Sequence, residues 1–223
     1  MDIRTIFLDL DDTLYPKSSG VWDAVGERIN SYISLRLGLP QEQIAVLRDA
    51  YYQAYGTTLS GLIHNHQIDP HEYLEFVHQV PIEDLLLPDP ALARMLASLP
   101  QRLVVLTNSS AGHVRRVAQQ LGVLHEIDQI IDVVTLEFVN KPLPDAYRRA
   151  LALAGEDDPR RALVADDSLR NLLTARDLQM TTVLVGGNHS PAPVDFHIAR
   201  ITDLIDAVPG LLGPGPDQGQ PQA

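Results

Sequence analysis

The sequence predicts an α/β protein, a doubly wound parallel sheet carrying an inserted helical subdomain. Three observations lead there. Short β-branched apolar runs each end in polar residues or glycine, helical patterns of about 10–12 residues separate the later runs, and one long segment after the first run contains no strand-like pattern at all. Thr5 to Leu10 (T-I-F-L-D-L) is the first run and stops abruptly at Asp11 and Asp12. Leu103 to Thr107 is the second, followed by a helical pattern at Gly112 to Leu121, an apolar run at Ile130 to Val134, and a helix at Asp145 to Ala154 behind Pro144. Arg161 to Ala165 is the next strand, Leu169 to Leu178 the next helix, and Thr181 to Val185 the strand after it.

From Tyr15 to about Pro90 the alternation breaks. Val21, Val25, Ile29 and Ile33 repeat at four, giving an apolar stripe that begins after Ser18 and Ser19 and stops at Gly38. Pro40 through Tyr55 reads as a second helix closed by Gly56, and Asp69, Pro70 and Glu72 open another. The expected division is therefore a catalytic core at 1–16 and 88–212, a helical cap at 17–87, and a disordered tail at 213–223, where Gly, Pro, Gln, Asp and Ala have nothing to bury.

Composition narrows the function. The 223 residues carry 17 Lys and Arg against 29 Asp and Glu, a formal charge of −12, which argues against nucleic acid or an anionic membrane as partner. The cap segment has four basic residues, Lys17, Arg28, Arg36 and Arg48, against ten acids between Asp23 and Asp89, so it is no basic reader either. With no cysteine, thiolate metal sites and thiol nucleophiles are excluded. No apolar run approaches the ~18–20 residues needed to span a bilayer, and the charged, strand-like start does not resemble a signal peptide; a cytoplasmic protein is expected. Oligomeric state is not legible.

Chemistry gathers where strands end. Asp9, Asp11 and Thr13 form D-x-D-x-T at the carboxyl end of the first strand, the edge where open α/β sheets place ligands. A calcium loop beginning at Asp9 would need Gly where Leu14 stands and Glu where Gly20 stands, so an EF-hand is excluded. Asp166 and Asp167 reach the same edge from another strand. Four converging carboxylates need a cation, and hard oxygen donors without Cys or a paired His suit Mg²⁺. Thr107, Asn108 and Ser109 offer a hydroxyl and amides for anionic oxygens at the end of the second strand. Lys141, in N-K-P before a helix, supplies a charge to offset the carboxylates.

F-L-D-L-D-D-T-L, L-T-N, N-K-P and V-A-D-D-S, in this order, resemble the four signature motifs of the haloacid dehalogenase-like superfamily. The resemblance implies a Rossmann-like core with Asp9 as nucleophile, Asp11 as general acid and base, Thr107 on the phosphoryl oxygens and Lys141 as the charge-balancing lysine. It further implies Mg²⁺ held by the carboxylates of Asp9 and Asp166 and the backbone carbonyl of Asp11, with Asp167 in outer support. Retention of Asp11 points away from a dehalogenase, whose halide leaving group needs no proton, and towards transfer of phosphoryl to water.

Within the insertion, Y-P-K-S-S-G from Tyr15, Y-Y-Q-A-Y-G from Tyr51 and G-L-I-H-N-H from Gly61 resemble the pyrimidine 5′-nucleotidase branch of that superfamily, as does D-D-S-L-R-N from Asp166. The resemblance implies a cap that closes over the phosphate site, with Lys17, Tyr52, Tyr55 and His66 as contacts to the nucleoside. The expected activity is a Mg²⁺-dependent phosphatase of a small-molecule phosphomonoester, a pyrimidine nucleoside 5′-monophosphate. The alternatives are a phosphatase of a sugar phosphate, nicotinamide nucleotide, lysophospholipid or cofactor phosphate, and a phosphate-binding regulatory protein with little turnover.

Overall fold

The structure, a computed structural model, describes residues 2–186 and 193–212; the expected tail at 213–223 lies outside the described residues. Strand β1 (Thr5–Leu8) is followed by helices only: α1 (Val21–Leu37), α2 (Gln41–Tyr55), α3 (Thr58–His66), α4 (Pro70–Val77), α5 (Ile82–Leu85) and α6 (Pro90–Ala97). The chain then alternates through β2 (Arg102–Leu106), α7 (Ala111–Leu121), β3 (Gln129–Ile131), α8 (Pro144–Ala154), β4 (Ala162–Asp166), α9 (Leu169–Asp177), β5 (Thr181–Val185), β6 (Phe196–Ile198) and α10 (Leu204–Ala207). The strands form one sheet in the order β3-β2-β1-β4-β5-β6, every pairing parallel.

Alternation along the strands divides the interior into two layers. Ile6, Leu8, Leu103, Val105, Leu163 and Ala165 face one core, shared with α6, α7 and α10. Phe7, Val104, Leu106, Ala162 and Val164 face the other, filled by Ala146, Tyr147, Ala150 and Leu151 of α8 and Leu172 and Ala175 of α9. Each fully buried Val, Leu, Ile or Phe contributes about 1.5–3 kcal/mol relative to exposure. Both faces of the sheet are therefore covered, as an all-parallel sheet requires. The chain leaves β1 towards β2 and β3, then crosses to β4 on the opposite side of β1. The carboxyl ends of β1 and β4 consequently flank the switch-point crevice.

Several boundaries differ from the sequence reading. β1 ends at Leu8, so Asp9 and Leu10 already lie in the loop, whereas Asp166 is the last residue of β4 and Arg161 precedes that strand in a single 3₁₀ turn. The apolar run at Ile130 to Val134 is strand only to Ile131, because the chain turns away from the sheet at Asp132, which binds the N–H of Ala111 at 2.7 Å and of Thr135 at 2.8 Å. β6 was not foreseen: it has three residues, Phe-His-Ile, too short for a period to register.

In the insertion, Val21, Val25, Ile29, Tyr32 and Ile33 form the buried stripe of α1, which packs on α2 and α4. Tyr32 meets Tyr73 edge-on at 5.0 Å. Asp69 accepts from His71 N at 2.9 Å and caps α4, which opens on Pro70. Helices α2 and α3 come so close that a Cβ at Gly61 would lie 2.2 Å from Tyr51 Cγ; glycine is required there.

Candidate active site

Register alone brings the acids together. Leu8 pairs with Ala165, and Asp9 N donates to Ala165 O at 2.9 Å, so Asp9 leaves β1 beside Asp166 at the end of β4. Lys141 comes from the loop before α8 and is 2% exposed. Its Nζ donates to Asp9 Oδ1 at 2.7 Å, Asp166 Oδ2 at 2.7 Å and the Leu106 carbonyl at 2.8 Å. Burial alone would lower the Lys141 pKa, but Asp166 and Asp9 outweigh it and raise it, so the ammonium is secure. Burial pushes Asp9 well above the ordinary carboxylate range, with Asp166 and Asp167 adding to the effect and Lys141 opposing it.

Asn108 fixes this lysine from behind. Its Oδ1 accepts from Lys141 N at 2.8 Å and its Nδ2 donates to Lys141 O at 3.0 Å. Asn171 Nδ2 reaches both oxygens of Asp166, at 3.0 and 3.1 Å. Thr13 ties the two acidic loops, donating to Asp9 Oδ2 at 3.2 Å and accepting from Asp167 N at 3.1 Å. Thr107, buried at the end of β2, accepts from Ser109 N at 3.0 Å, which leaves its hydroxyl proton free to donate.

Asp9, Asp166 and Asp167 each bring a carboxylate oxygen within 4.8 Å of the others. Partial desolvation, then Asp166 and Asp12, push Asp167 up to about 7. Three acids against one lysine leave a surplus of negative charge on hard oxygen donors. That donor set fits a divalent cation of the Mg²⁺ type, and the same three residues would hold it.

Asp11 sits in a cradle that the sequence reading missed. Its Oδ1 accepts from Tyr15 Oη at 2.5 Å and lies 2.9 Å from His113 Nε2, while Oδ2 accepts from Ser109 Oγ at 2.5 Å. Burial would raise its pKa, but the charge of His113 and the bonds from His113, Ser109 and Tyr15 win and hold the carboxyl below its usual range. His113 stacks on His78, the residue that ends α4, with centroids 4.4 Å apart. Burial and His113 depress His78 to about 3, which keeps it neutral. A histidine on the buried face of the helix after the second strand is the signal that could have found His113.

A cavity of about 590 Å³ joins these strand ends to the insertion. Asp9, Asp11, Thr107, Asn108, Lys141 and Asp167 line its floor; Trp22, Asn30, Arg48, Tyr52 and Tyr73 line its walls. Of the four residues expected to meet a nucleoside, the structure brings Tyr52 to this cavity and the other three elsewhere. Tyr55 and His66 sit on the face of α2 and α3 where Tyr51 Oη meets His66 Nε2 at 2.7 Å and Asn65 Nδ2 donates to Tyr55 Oη at 3.2 Å. One residue's rotation of about 100° separates Tyr51 from Tyr52 on α2, which turns Tyr51 and Tyr55 towards α3 and Tyr52 towards the cavity. Lys17, exposed, lines a smaller cavity of about 300 Å³ with Asp12, Asp89 and Arg200.

The insertion is fastened to the core beside Lys141. Arg170 donates to the Tyr52 carbonyl at 2.7 Å and the Gln53 carbonyl at 3.0 Å, satisfying the open end of α2. Asn140 Nδ2 donates to Tyr55 O at 3.1 Å, and Ser60 Oγ to Asn140 Oδ1 at 2.6 Å.

Comparison with known proteins identifies the family and the fold. The sequence matches the haloacid dehalogenase-like hydrolases over residues 3–179. It is 30% identical over 195 residues to phosphate metabolism protein 8 of Saccharomyces cerevisiae, covering 81% of this chain but 61% of that protein. The chain thus spans less than two thirds of that relative's length. The fold is similar to a HAD phosphatase from Thermococcus onnurineus, with a TM-score of 0.61 at 17% identity over 91% of this chain and 96% of that one. It is similar also to L-2-haloacid dehalogenase from Xanthobacter autotrophicus, with a TM-score of 0.58 at 18% identity over the same shares. Among the described residues, no helix is long and apolar enough to cross a membrane.

Proposed function

This chain belongs to the haloacid dehalogenase-like hydrolase family, and from that premise we propose that it is a Mg²⁺-dependent phosphomonoester hydrolase working through an aspartyl phosphate on Asp9, with a pyrimidine nucleoside 5′-monophosphate as substrate. The observation that carries the reading is the Lys141 ammonium bonded to Asp9 and Asp166 at the floor of a cavity, with Asp11 in contact with Tyr15, Ser109 and His113 alongside.

Asp9 attacks phosphorus as the P–O bond to the leaving alkoxide breaks, replacing one hard hydrolysis by two easier displacements. Lys141 keeps the nucleophile oriented and offsets its charge. Thr107 donates its hydroxyl proton to a phosphoryl oxygen. Asp11 in its protonated form gives the alkoxide its proton; as the carboxylate left behind, it takes a proton from the water that hydrolyses the acyl phosphate. His113, Ser109 and Tyr15 hold the carboxylate form needed in that second step. Asp9, Asp166 and Asp167 would hold a divalent cation, which when bound would supply positive charge to offset the repulsion between carboxylate and phosphate dianion. Dehalogenases share the fold, but a halide leaving group gives an acid in the position of Asp11 no proton to deliver. We read the helical segment 17–87 as the cap that contacts the leaving group.

Phosphate release from a panel of monophosphates, with Mg²⁺ and with excess chelator, tests the proposal. UMP or CMP is expected to exceed AMP, GMP and sugar phosphates in kcat/KM, and Asp9→Asn to be nearly inactive. Undiminished turnover by Asp9→Asn, or in chelator, would refute the mechanism. Preference for another phosphate would refute the substrate while leaving the phosphatase reading intact.

A further inference from the structure

The loop that delivers Lys141 is held from two sides. From the core, Asn108 bonds both the N–H and the carbonyl of Lys141. From the insertion, the turn between α2 and α3 reaches the same carbonyl through Asn140, a side chain 1% exposed. Asn140 Nδ2 donates to Lys141 O at 2.8 Å and to Tyr55 O at 3.1 Å, and its Oδ1 accepts from Ser60 Oγ at 2.6 Å. Ser60 Oγ in turn accepts from the hydroxyl of Thr57, the residue that caps α3, at 2.9 Å. The amide thus commits its N–H donors and its oxygen to a bridge between the insertion and the backbone of the lysine.

Gly56 lets the two segments meet. Its φ is +86°, and a Cβ there would lie 2.6 Å from Asn140 Nδ2 and 2.9 Å from Pro142 Cδ, so the turn rests directly on the N-K-P segment. Earlier in the same loop, Glu137 and Phe138 both hold positive φ, 54° and 62°, a conformation that such residues keep only where their surroundings impose it. Part of those surroundings is again the insertion, since His71 of α4 meets the Phe138 ring edge-on at 5.4 Å. The turn also faces the large cavity, which Gly56, Thr57, Thr58 and Leu59 help to line.

We propose that Asn140 is a positioning residue, which seats the Lys141 ammonium fully against Asp9 and Asp166 only when the α2–α3 turn is docked as it is here. This rests on the phosphohydrolase reading above. A lysine carries its ammonium on a flexible stem, so its place depends on where its own backbone is held, and both carboxylate contacts of Nζ are 2.7 Å. Small displacements at such a centre lower the rate steeply. Asn140 touches no reacting atom. It supplies a link: whatever fills the cavity and bears on Gly56 to Leu59 bears also on the lysine, so contacts made to the leaving group raise the rate at phosphorus as well as the affinity.

The test measures kcat and KM of the Mg²⁺-loaded enzyme on p-nitrophenyl phosphate, whose leaving group needs no proton, for the wild type, Asn140→Ala, Ser60→Ala, Arg170→Met, Lys141→Met and the double variant Asn140→Ala/Lys141→Met. Asn140→Ala is expected to lower kcat about tenfold while changing KM less than about twofold, and Ser60→Ala to lower kcat severalfold in the same way. Ser60→Ala keeps the backbone bond from Ser60 N to Thr57 Oγ1 that caps α3, and so keeps the test valid if Asn140→Ala folds poorly. Arg170→Met frees the Tyr52 and Gln53 carbonyls without touching Asn140 or Lys141, and should leave kcat within about twofold. Once Lys141 is methionine, Asn140→Ala should cost nothing further, because the residue it acts through is gone. An equal loss from Asn140→Ala with and without Lys141 would overturn the proposal, as would a loss in Arg170→Met as large as that in Asn140→Ala, since any loosening of the insertion would then do the same. Unchanged kcat in both Asn140→Ala and Ser60→Ala, in an enzyme that hydrolyses the ester, overturns the positioning role alone. A wild type that releases phosphate from no monoester overturns the phosphohydrolase reading and this role together.

Discussion

Replacing Lys141 by methionine should expose what holds the centre of this site together. The ammonium makes three short contacts, two of them to carboxylates, while being 2% exposed, and Asp166 is wholly buried. Methionine fills much of the stem's volume, so packing loss is small and the cost is electrostatic: two adjacent buried acids lose their counter-charge. Breaking a buried ion pair in this way costs about 3–5 kcal/mol.

The loss should depend on pH with a definite sign. Without Lys141 the folded-state pKa of Asp9, already raised by burial, rises further above the unfolded value of about 3.9. Between that value and the raised folded value, the native state binds protons that the unfolded chain has released, so stability falls as pH rises. Chelator-treated Lys141→Met should therefore be less destabilised relative to wild type near pH 5.5 than near pH 8. Mg²⁺ should bind the variant about tenfold more tightly, or about 1.4 kcal/mol, because a positive charge has left the site. Phosphatase activity should nevertheless fall by about 10²-fold or more. Urea denaturation at both pH values, with Mg²⁺ titrated calorimetrically, reads all of these. A loss under about 1 kcal/mol near pH 8, or one equal at both pH values, would refute the view that Lys141 compensates these two carboxylates.

Asp11→Asn should lose about 10²-fold or more on an alkyl phosphate but much less on p-nitrophenyl phosphate, whose leaving group needs no proton; equal losses on the two would contradict the acid–base role. Because Asp167 is pushed up to about 7, protons should compete with Mg²⁺, weakening its affinity about tenfold per unit below that pH and little above it. Calorimetry between about pH 5.5 and 8 tests this, and Asp167→Asn should flatten the dependence. Gly61→Ala, whose Cβ would meet Tyr51 at 2.2 Å, should destabilise the protein by about 1–3 kcal/mol in a denaturation experiment; no loss would mean that α2 and α3 can separate freely.

The sheet was legible because its strands are apolar runs buried on both faces, and the strand-end acids because a parallel sheet sends such residues to one edge. β6 gave no signal in three residues. The contacts around Asp11 were hidden for another reason: Ser109 and His113 lie 98 and 102 positions away in the sequence, and only the β1–β2 pairing brings them to it. On α2, the residues at the cavity are Ala45, Arg48, Asp49 and Tyr52, a stripe at helical spacing whose polar members look like a solvated face. Sequence could locate the helix but not its rotation, and Tyr51 and Tyr55 turned to α3 instead.

Under the proposed mechanism the same geometry separates the groups that meet phosphorus from the group that meets the leaving alkoxide. In the proposed reaction Asp9, Lys141 and Thr107, together at the floor of the cavity, address phosphorus alone. Asp11, to which the proposal gives the leaving group, stands where the chain departs for the insertion, with Tyr15 bonded to it as the last buried residue before α1 begins. The insertion also returns to it: His78, at the end of α4, stacks on the imidazole that bonds Asp11, and takes Ser110 Oγ at 2.9 Å on Nδ1. Asp11, the proposed acid–base group, is thus bracketed by both ends of the segment that walls the cavity, whereas Asp9, the proposed nucleophile, is bracketed by strands. A change of helices between Tyr15 and His78 can therefore alter which alkoxide is admitted and how its proton is delivered, while leaving the geometry of phosphoryl transfer in place.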